Sequence, residues 1–268
     1  MPLLPTLPIM HTVLNRLYSD YLMPSRLRHY EALLQQARHE GYRQTSVRAW
    51  LATLRGGRAG DARVLVHRHD IDTDLPTARR MFALEQKHGV RASYYFRLST
   101  LDFGFMRDIE RYGSEASYHY EEIATYAKQA HLKQPCQVRQ RMDEIREQFE
   151  HNFRRIEQQL GSKMLTVASH GDFANRRLGI INHELLADPA LRERCGIAVE
   201  SYDQELLSSF DLYISDRPHP QYFHPMAPQA ALGAHRRICL LTHPAQWRTN
   251  WVDSSRHNVR RVVEALRW

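Results

Sequence analysis

Short β-rich runs alternate with helical patterns along most of this chain, and that alternation constrains its fold more than any other feature. Parallel strands need a crossover between them, usually a helix, so the alternation predicts a mostly parallel α/β architecture. Strands are expected at residues 64–66 running on into His69-Asp70-Ile71-Asp72, and at 92–98, 115–120, 165–169, 197–199, 212–214 and 238–242. One helix opens after Asp74 with Pro76 in its first turn and stops at Gly89. The longest is expected over about 137–160. There Val138, Met142, Ile145, Phe149, Phe153, Ile156 and Leu160 recur every three or four residues, and Gly161 ends it. A final helix carries Val259, Val262, Val263 and Leu266, and residues 29–54 read as two short helices around Gly41-Tyr42. Residues 216–233, with Pro218, Pro220, Pro225 and Pro228, read as one long loop that also holds His219 and His224. No linker interrupts the pattern, so residues 1–268 read as a single domain.

Composition narrows the class. Hydrophobic residues make up 43% and charged residues 25%, which excludes disordered, collagen-like and coiled-coil chains. No apolar run approaches the roughly 20 residues of a membrane span. The N-terminus lacks a basic region and its apolar stretch is broken by Pro5 and Pro8, so no secretory signal is expected. Cys136, Cys195 and Cys239 are odd in number and widely spaced, which fits a reducing, cytoplasmic setting without a disulfide framework. The net charge of +7 suits an anionic partner, but the arginines are scattered, which argues against nucleic acid.

Chemistry in parallel α/β sheets collects at the C-terminal ends of strands. Here those ends deliver Asp70 and Asp72, then His119, then His170, then His243. Asp70 and Asp72 are two apart on a strand and therefore share a face. Like charges held that close repel unless a cation sits between them. Carboxylate and imidazole are ordinary zinc ligands, and a catalytic zinc keeps three protein ligands and one open position. Asp74 reads as the cap of the helix at Pro76. Gly171, after His170, lets backbone approach a ligand, and Pro244, after His243, ends its strand.

With those residues in place, the chain resembles the polysaccharide deacetylase superfamily, the NodB-like carbohydrate esterases of the CE4 type. Arg68-His69-Asp70-Ile71-Asp72 is similar to the family's first motif in its Asp-x-Asp form. Ala92-Ser93-Tyr94-Tyr95-Phe96-Arg97 resembles its second strand, and Gly113 to Glu121 its metal-histidine motif. Leu241-Thr242-His243-Pro244 resembles its final histidine motif, and Tyr30-Glu31-Ala32-Leu33-Leu34 with Gly41-Tyr42 the leader of the Asp-x-Asp subgroup.

The resemblance implies a distorted (β/α) barrel of parallel strands, here with an N-terminal helical extension. It implies hydrolysis of an acetyl group from an N-acetylated sugar with a divalent metal, usually zinc. Asp70 matches the catalytic base, Asp72 the metal carboxylate, His119 the first metal histidine and His243 the catalytic acid. The family places a second metal histidine where this chain has Ile123; His170 is the expected replacement and Glu122 the weaker candidate. Arg68, Arg97 and Tyr120 are expected to line the substrate pocket. Some members resemble enzymes of O-antigen and other surface-polysaccharide biosynthesis, so the expected substrate is an amino sugar on a nucleotide or lipid carrier. A homo-oligomer is compatible with this, while nucleic acid and a transmembrane segment are not expected. The competing readings are a glycan-binding pseudoenzyme on the same barrel and another metal-dependent amidohydrolase or phosphoesterase.

Overall fold

The computed structural model describes residues 14–268. The expectation about a leader, which rests on Pro5 and Pro8, lies outside the described residues. One nine-stranded sheet runs through the molecule. Its strands are β1 (Arg43–Thr45), β2 (Val64–Ile71), β3 (Ser93–Phe96), β4 (Glu115–Tyr120), β5 (Thr166–Ser169), β6 (Val199–Glu200), β7 (Leu212–Asp216), β8 (Phe223–His224) and β9 (Arg237–Thr242). The spatial order is β6-β5-β4-β3-β2-β9-β7-β8, and every pairing is parallel except β7 with β8.

β2 is the centre of this plan. Its Val64–His69 stretch pairs with β9 along one edge. Along the other edge β1 pairs with Val64 to Val66, and β3 takes over from Arg68 to Ile71. All eight residues of β2 are buried, so neither face of it meets solvent. Val64 and Val66 face a core shared with Trp50, Val199, Leu206 and Cys239, while Leu65 joins a second core with Tyr30, Leu33 and Trp247. Alternation then sets Arg68, Asp70 and Asp72 on the Val64 side and His67 and His69 on the Leu65 side.

The helices that matter for the site are α1 (Leu27–His39), α2 (Val47–Arg55), α3 (Leu75–His88), α4 (Phe103–Tyr112), α5 (Glu122–Gln129), α6 (Met142–Leu160) and α7 (Trp251–Arg267). α2 plugs the floor of the curled sheet. Its Trp50 is fully buried, stacks on Phe210 and donates its indole N–H to Ser209 at 2.9 Å. α3 opens as expected, with Asp74 accepting from the Thr77 N–H and Pro76 in the first turn, and it ends at Gly89 with φ +71°. α4 and α6 cover the outer face, burying Phe105, Met106, Ile109, Phe149, Phe153 and Ile156 in one cluster with Tyr94, Phe96, Tyr118 and Tyr120.

The expected distorted barrel of parallel strands is present as a strongly curled half-barrel, left open between β6 and the β7–β8 hairpin. Some boundaries depart from expectation. The expected 137–160 helix is two helices, Pro135–Gln140 and Met142–Leu160, because the backbone leaves helical angles at Arg141 (φ −108°, ψ 13°). The expected 216–233 loop holds β8 and a short helix at Pro228–Ala231. β1 lies between the two N-terminal helices; its Arg-Gln-Thr sequence carries no apolar signal.

Candidate metal centre

Three strands, β4, β5 and β9, bring imidazoles to one carboxylate at the end of a fourth, β2. His119 Nε2 lies 3.2 Å from Asp72 Oδ1 and 3.5 Å from Asp70 Oδ2. His170 Nε2 lies 3.4 Å from Asp72 Oδ1, and His243 Nε2 lies 4.0 Å from Asp72 Oδ2. In a flat sheet β5 and β9, four strand spacings apart, would be roughly 19 Å from each other. The curl is what lets His170 and His243 meet over Asp72.

The hydrogen-bond pattern bears on whether these groups suit a cation. His119 Nδ1 lies 2.9 Å from the Ala168 carbonyl oxygen, which can only accept. The ring proton is therefore on Nδ1, and in the neutral ring the Nε2 lone pair aims at two carboxylates. Asp72 Oδ1 is a buried oxygen without a hydrogen-bond donor, and His170 Nδ1 is also without a partner. Facing lone pairs repel unless a positive charge sits between them. Donors about 2.0–2.1 Å from a tetrahedral zinc are roughly 3.3 Å apart, close to the 3.2 and 3.4 Å seen here. The donor atoms of Asp72, His119 and His170 all lie within 4.8 Å of one another, and this set fits one divalent cation. Burial works against the Asp72 charge, but His170, His119 and His243 outweigh it and hold the carboxyl well below its usual range.

His170, not Glu122, stands beside Asp72 and His119. Glu122 accepts from Tyr118 and Asn152 on the outer side of the sheet, and burial pushes its carboxyl up to about 7. Ile123 is packed in the outer core. Glu121, which the sequence did not single out, lies 3.5 Å from His170 Nδ1 and accepts three hydrogen bonds from Arg97 at 2.7–3.0 Å.

The expected pocket residues divide. Arg97 lines the cavity over Asp72. Tyr120 does not: it follows His119 by one residue, so strand alternation turns it outward among Tyr118 and Phe149. Arg68 does not reach the cavity either. It is fully buried, and its Nε and Nη2 bond the two oxygens of Asp70 at 2.9 and 2.7 Å. Its guanidinium carbon lies 4.4 Å from the Tyr202 ring centroid and 5.5 Å from that of Tyr95. Burial would raise the Asp70 carboxyl, but Arg68 and His119 outweigh it and keep it low.

His243 has a partner that the sequence reading missed. Asp216 ends β7, the neighbour of β9. Its Oδ1 is 2.6 Å from His243 Nδ1, and its Oδ2 accepts from the His243 backbone N–H at 2.7 Å and the Trp247 indole at 3.1 Å. Burial pushes the imidazole down, but Asp216, Asp72 and Asp70 raise it to about 9. His219 and His224 lie away from this centre; His219 packs on Tyr18 and Tyr222.

A cavity of about 630 Å³ opens above the centre, bounded by Asp72, Arg97, His170 and one face of α7. A second group, His183, Glu200 and Asp203, also brings donor atoms close together. It is satisfied internally: His183 bonds Glu200 at 2.7 Å, and Arg192 grips both oxygens of Asp203 at 2.6 and 2.7 Å. Among the described residues no helix is long and apolar enough to cross a membrane.

No family model matches the sequence, and no curated protein matches it. Among solved structures the chain is similar to a mutant of a CE4 family pseudoenzyme with restored enzymatic activity, at 16% identity and a TM-score of 0.42. The match covers 75% of this chain and spans 64% of the length of that one.

Proposed function

We propose that this chain is a metal-dependent hydrolase that removes an acetyl group from an N-acetylated sugar. The observation that carries the reading is the Asp72 carboxylate, approached by His119 and His170 at 3.2 and 3.4 Å while its buried Oδ1 has no hydrogen-bond partner. Asp72, His119 and His170 would hold the cation, with zinc the best fit to two imidazoles and one carboxylate. When bound, it supplies a lowered pKa for water and a positive charge against a carbonyl oxygen.

The chain's own groups do the rest. Asp70 receives the proton of the attacking water as a C–O bond forms at the acetyl carbon. Arg68 fixes that carboxylate through both oxygens, which sacrifices some basicity for position. His243 gives its proton to the departing amine as the C–N bond breaks, because an amide anion is too basic to leave alone. Asp216 keeps the proton on His243 and aims its Nε2 at the centre. The products are acetate and the free amino sugar. The ordered motifs from Asp70 to His243 support the same assignment. The substrate we assign is a cytoplasmic precursor of a surface polysaccharide such as O-antigen, which a chain of net charge +7 would attract if it is carried on a diphosphate.

The test is acetate release from N-acetylated amino sugars, read together with metal content. Asp70→Asn is expected to abolish turnover while retaining about one metal per chain, since Asp70 is outside the ligand set. An active Asp70→Asn enzyme overturns the base, and a wild-type chain that takes up no metal overturns the site.

A further inference from the structure

We propose that the inward face of α7 is a phosphate-binding subsite, so that the sugar acted on at Asp72 carries a phosphate or diphosphate ester. This rests on the hydrolase reading for the identity of the sugar, but not for the anion.

The helix is turned in an unusual way. Its Arg256, His257, Arg260 and Arg261 line the same cavity as Asp72 and His170. These positions fall on one face by helical spacing. Val252, Val259, Val262 and Leu266 occupy the other face and are 56–82% exposed. An amphipathic helix normally buries its apolar stripe and hydrates its charges. Here the charged face is turned toward a cavity instead.

The cavity also holds carboxylates, but these are already engaged. Asp172 and Glu264 both take Lys128 at 2.9 Å, and Glu264 also takes Arg260 at 2.7 Å. Asp74 and Asp253 both accept from Asn250 at 2.8 Å. Asp72 belongs to the metal centre, and Arg97 is held by Glu121.

Two guanidiniums remain. Among the described residues Arg176 and Arg261 make no side-chain hydrogen bond or ion pair, yet both line the cavity. Burial, then Arg16 and Arg176, push the Arg261 guanidinium below its usual range against the opposing pull of Asp172 and Asp20. Gathering like charges beside a cavity costs stability unless an anion binds there. A planar guanidinium fork is the side chain best matched to phosphate oxygens. Asp72, Arg176 and Arg261 line one cavity, which suits a ligand that carries both an acetamide and a phosphate.

The phosphate can be borne by a nucleotide or by a lipid. A lipid carrier would bring its chain toward the exposed valines of the same helix, which a nucleotide would not use.

The experiment is calorimetric binding to the full chain carrying Asp72→Asn, so that chelation of the metal by phosphate is removed as a signal. The probes are inorganic pyrophosphate, N-acetylglucosamine 1-phosphate, UDP-N-acetylglucosamine, a short polyprenyl-diphosphate N-acetylglucosamine and neutral N-acetylglucosamine. Phosphorylated sugars should bind at least about tenfold more tightly than the neutral one. Adding Arg176→Ala with Arg261→Ala should erase that preference and pyrophosphate binding while leaving the neutral sugar unaffected. Lysines at both positions should restore part of it, and the tighter of the two carriers identifies the source of the phosphate. Equal affinity for charged and neutral sugars, or a preference that survives the double alanine change, overturns the subsite. If the preference holds but the metal-loaded wild type releases no acetate, the anion site stands and the hydrolase reading falls.

Discussion

β2 carries a polar cluster on each face, and the two differ in how well they are satisfied. On the helix side His69 bonds Glu85 at 2.7 Å and Thr242 at 2.6 Å, and Glu85 also accepts from Tyr30 at 2.5 Å and Tyr94 at 2.6 Å. Both oxygens of Glu85 and both nitrogens of His69 are used. On the inner side Asp72 Oδ1 and His170 Nδ1 are left over. A closed network ties α1, α3, β3 and β9 to the central strand. An open one leaves donors for something from outside. The contrast lies between the Glu85–His69 network and Asp72 with His170, although His67 Nδ1 on the helix side is also buried without a partner.

Substitutions at the two clusters should fail in different ways. The largest effect is expected from Asp72→Ala, which should lower acetate release by about a thousandfold or more and remove the bound metal, with an unchanged unfolding midpoint in chelator. If Asp72→Ala instead unfolds the chelated protein, the inner cluster is structural and the contrast collapses. Glu85→Ala should do the reverse. It leaves the fully buried Tyr30, Tyr94 and His69 without their shared acceptor and should cost about 3–5 kcal/mol of stability in denaturant titration. Its activity at low temperature should fall only with the folded fraction.

Two finer comparisons follow. Asp216→Asn should lower turnover by about 10²–10³-fold. His243 is protonated below about 9 in the intact pair, so turnover should decline as pH rises through that value. Without Asp216 the decline should begin at least about one pH unit lower; an unmoved alkaline limb would show that His243 is not the acid. The smallest effect concerns Glu122, whose carboxyl is raised to about 7 by burial. A raised carboxyl favours the folded state in its protonated form. That contribution is complete below the unfolded value near 4.5 and is lost as pH rises toward 7. Glu122→Gln should remove this slope, worth on the order of 1–3 kcal/mol, from urea titrations between those pH values.

Strand order was not legible in the sequence, but strand identity largely was, because apolar runs and capping residues such as Asp74 and Gly89 act locally. The pairing of Asp70 with Asp72 on one face followed from alternation alone. The same rule was available for Tyr120, one residue past His119, and would have turned it away from the site. Arg68 was harder: it shares the face of Asp70, but only the packed structure shows it buried and clamped to that carboxylate. The choice between His170 and Glu122 needed the curl of the sheet, which no local pattern encodes. Asp216 carried a faint signal as the acid ending a strand, but its role depends on β7 lying beside β9, a non-local pairing.

The carboxylate of Asp72 also has a thermodynamic consequence. Its neighbours come from segments far apart in the chain, so an unfolded chain has no preformed cage and a cation would bind essentially the native state alone. Stability then becomes a function of free metal: saturation at a hundred times the dissociation constant adds about 2.7 kcal/mol. Melting temperatures of this protein would be comparable between preparations only at a fixed metal activity, and a chelating buffer would register as a mutation does.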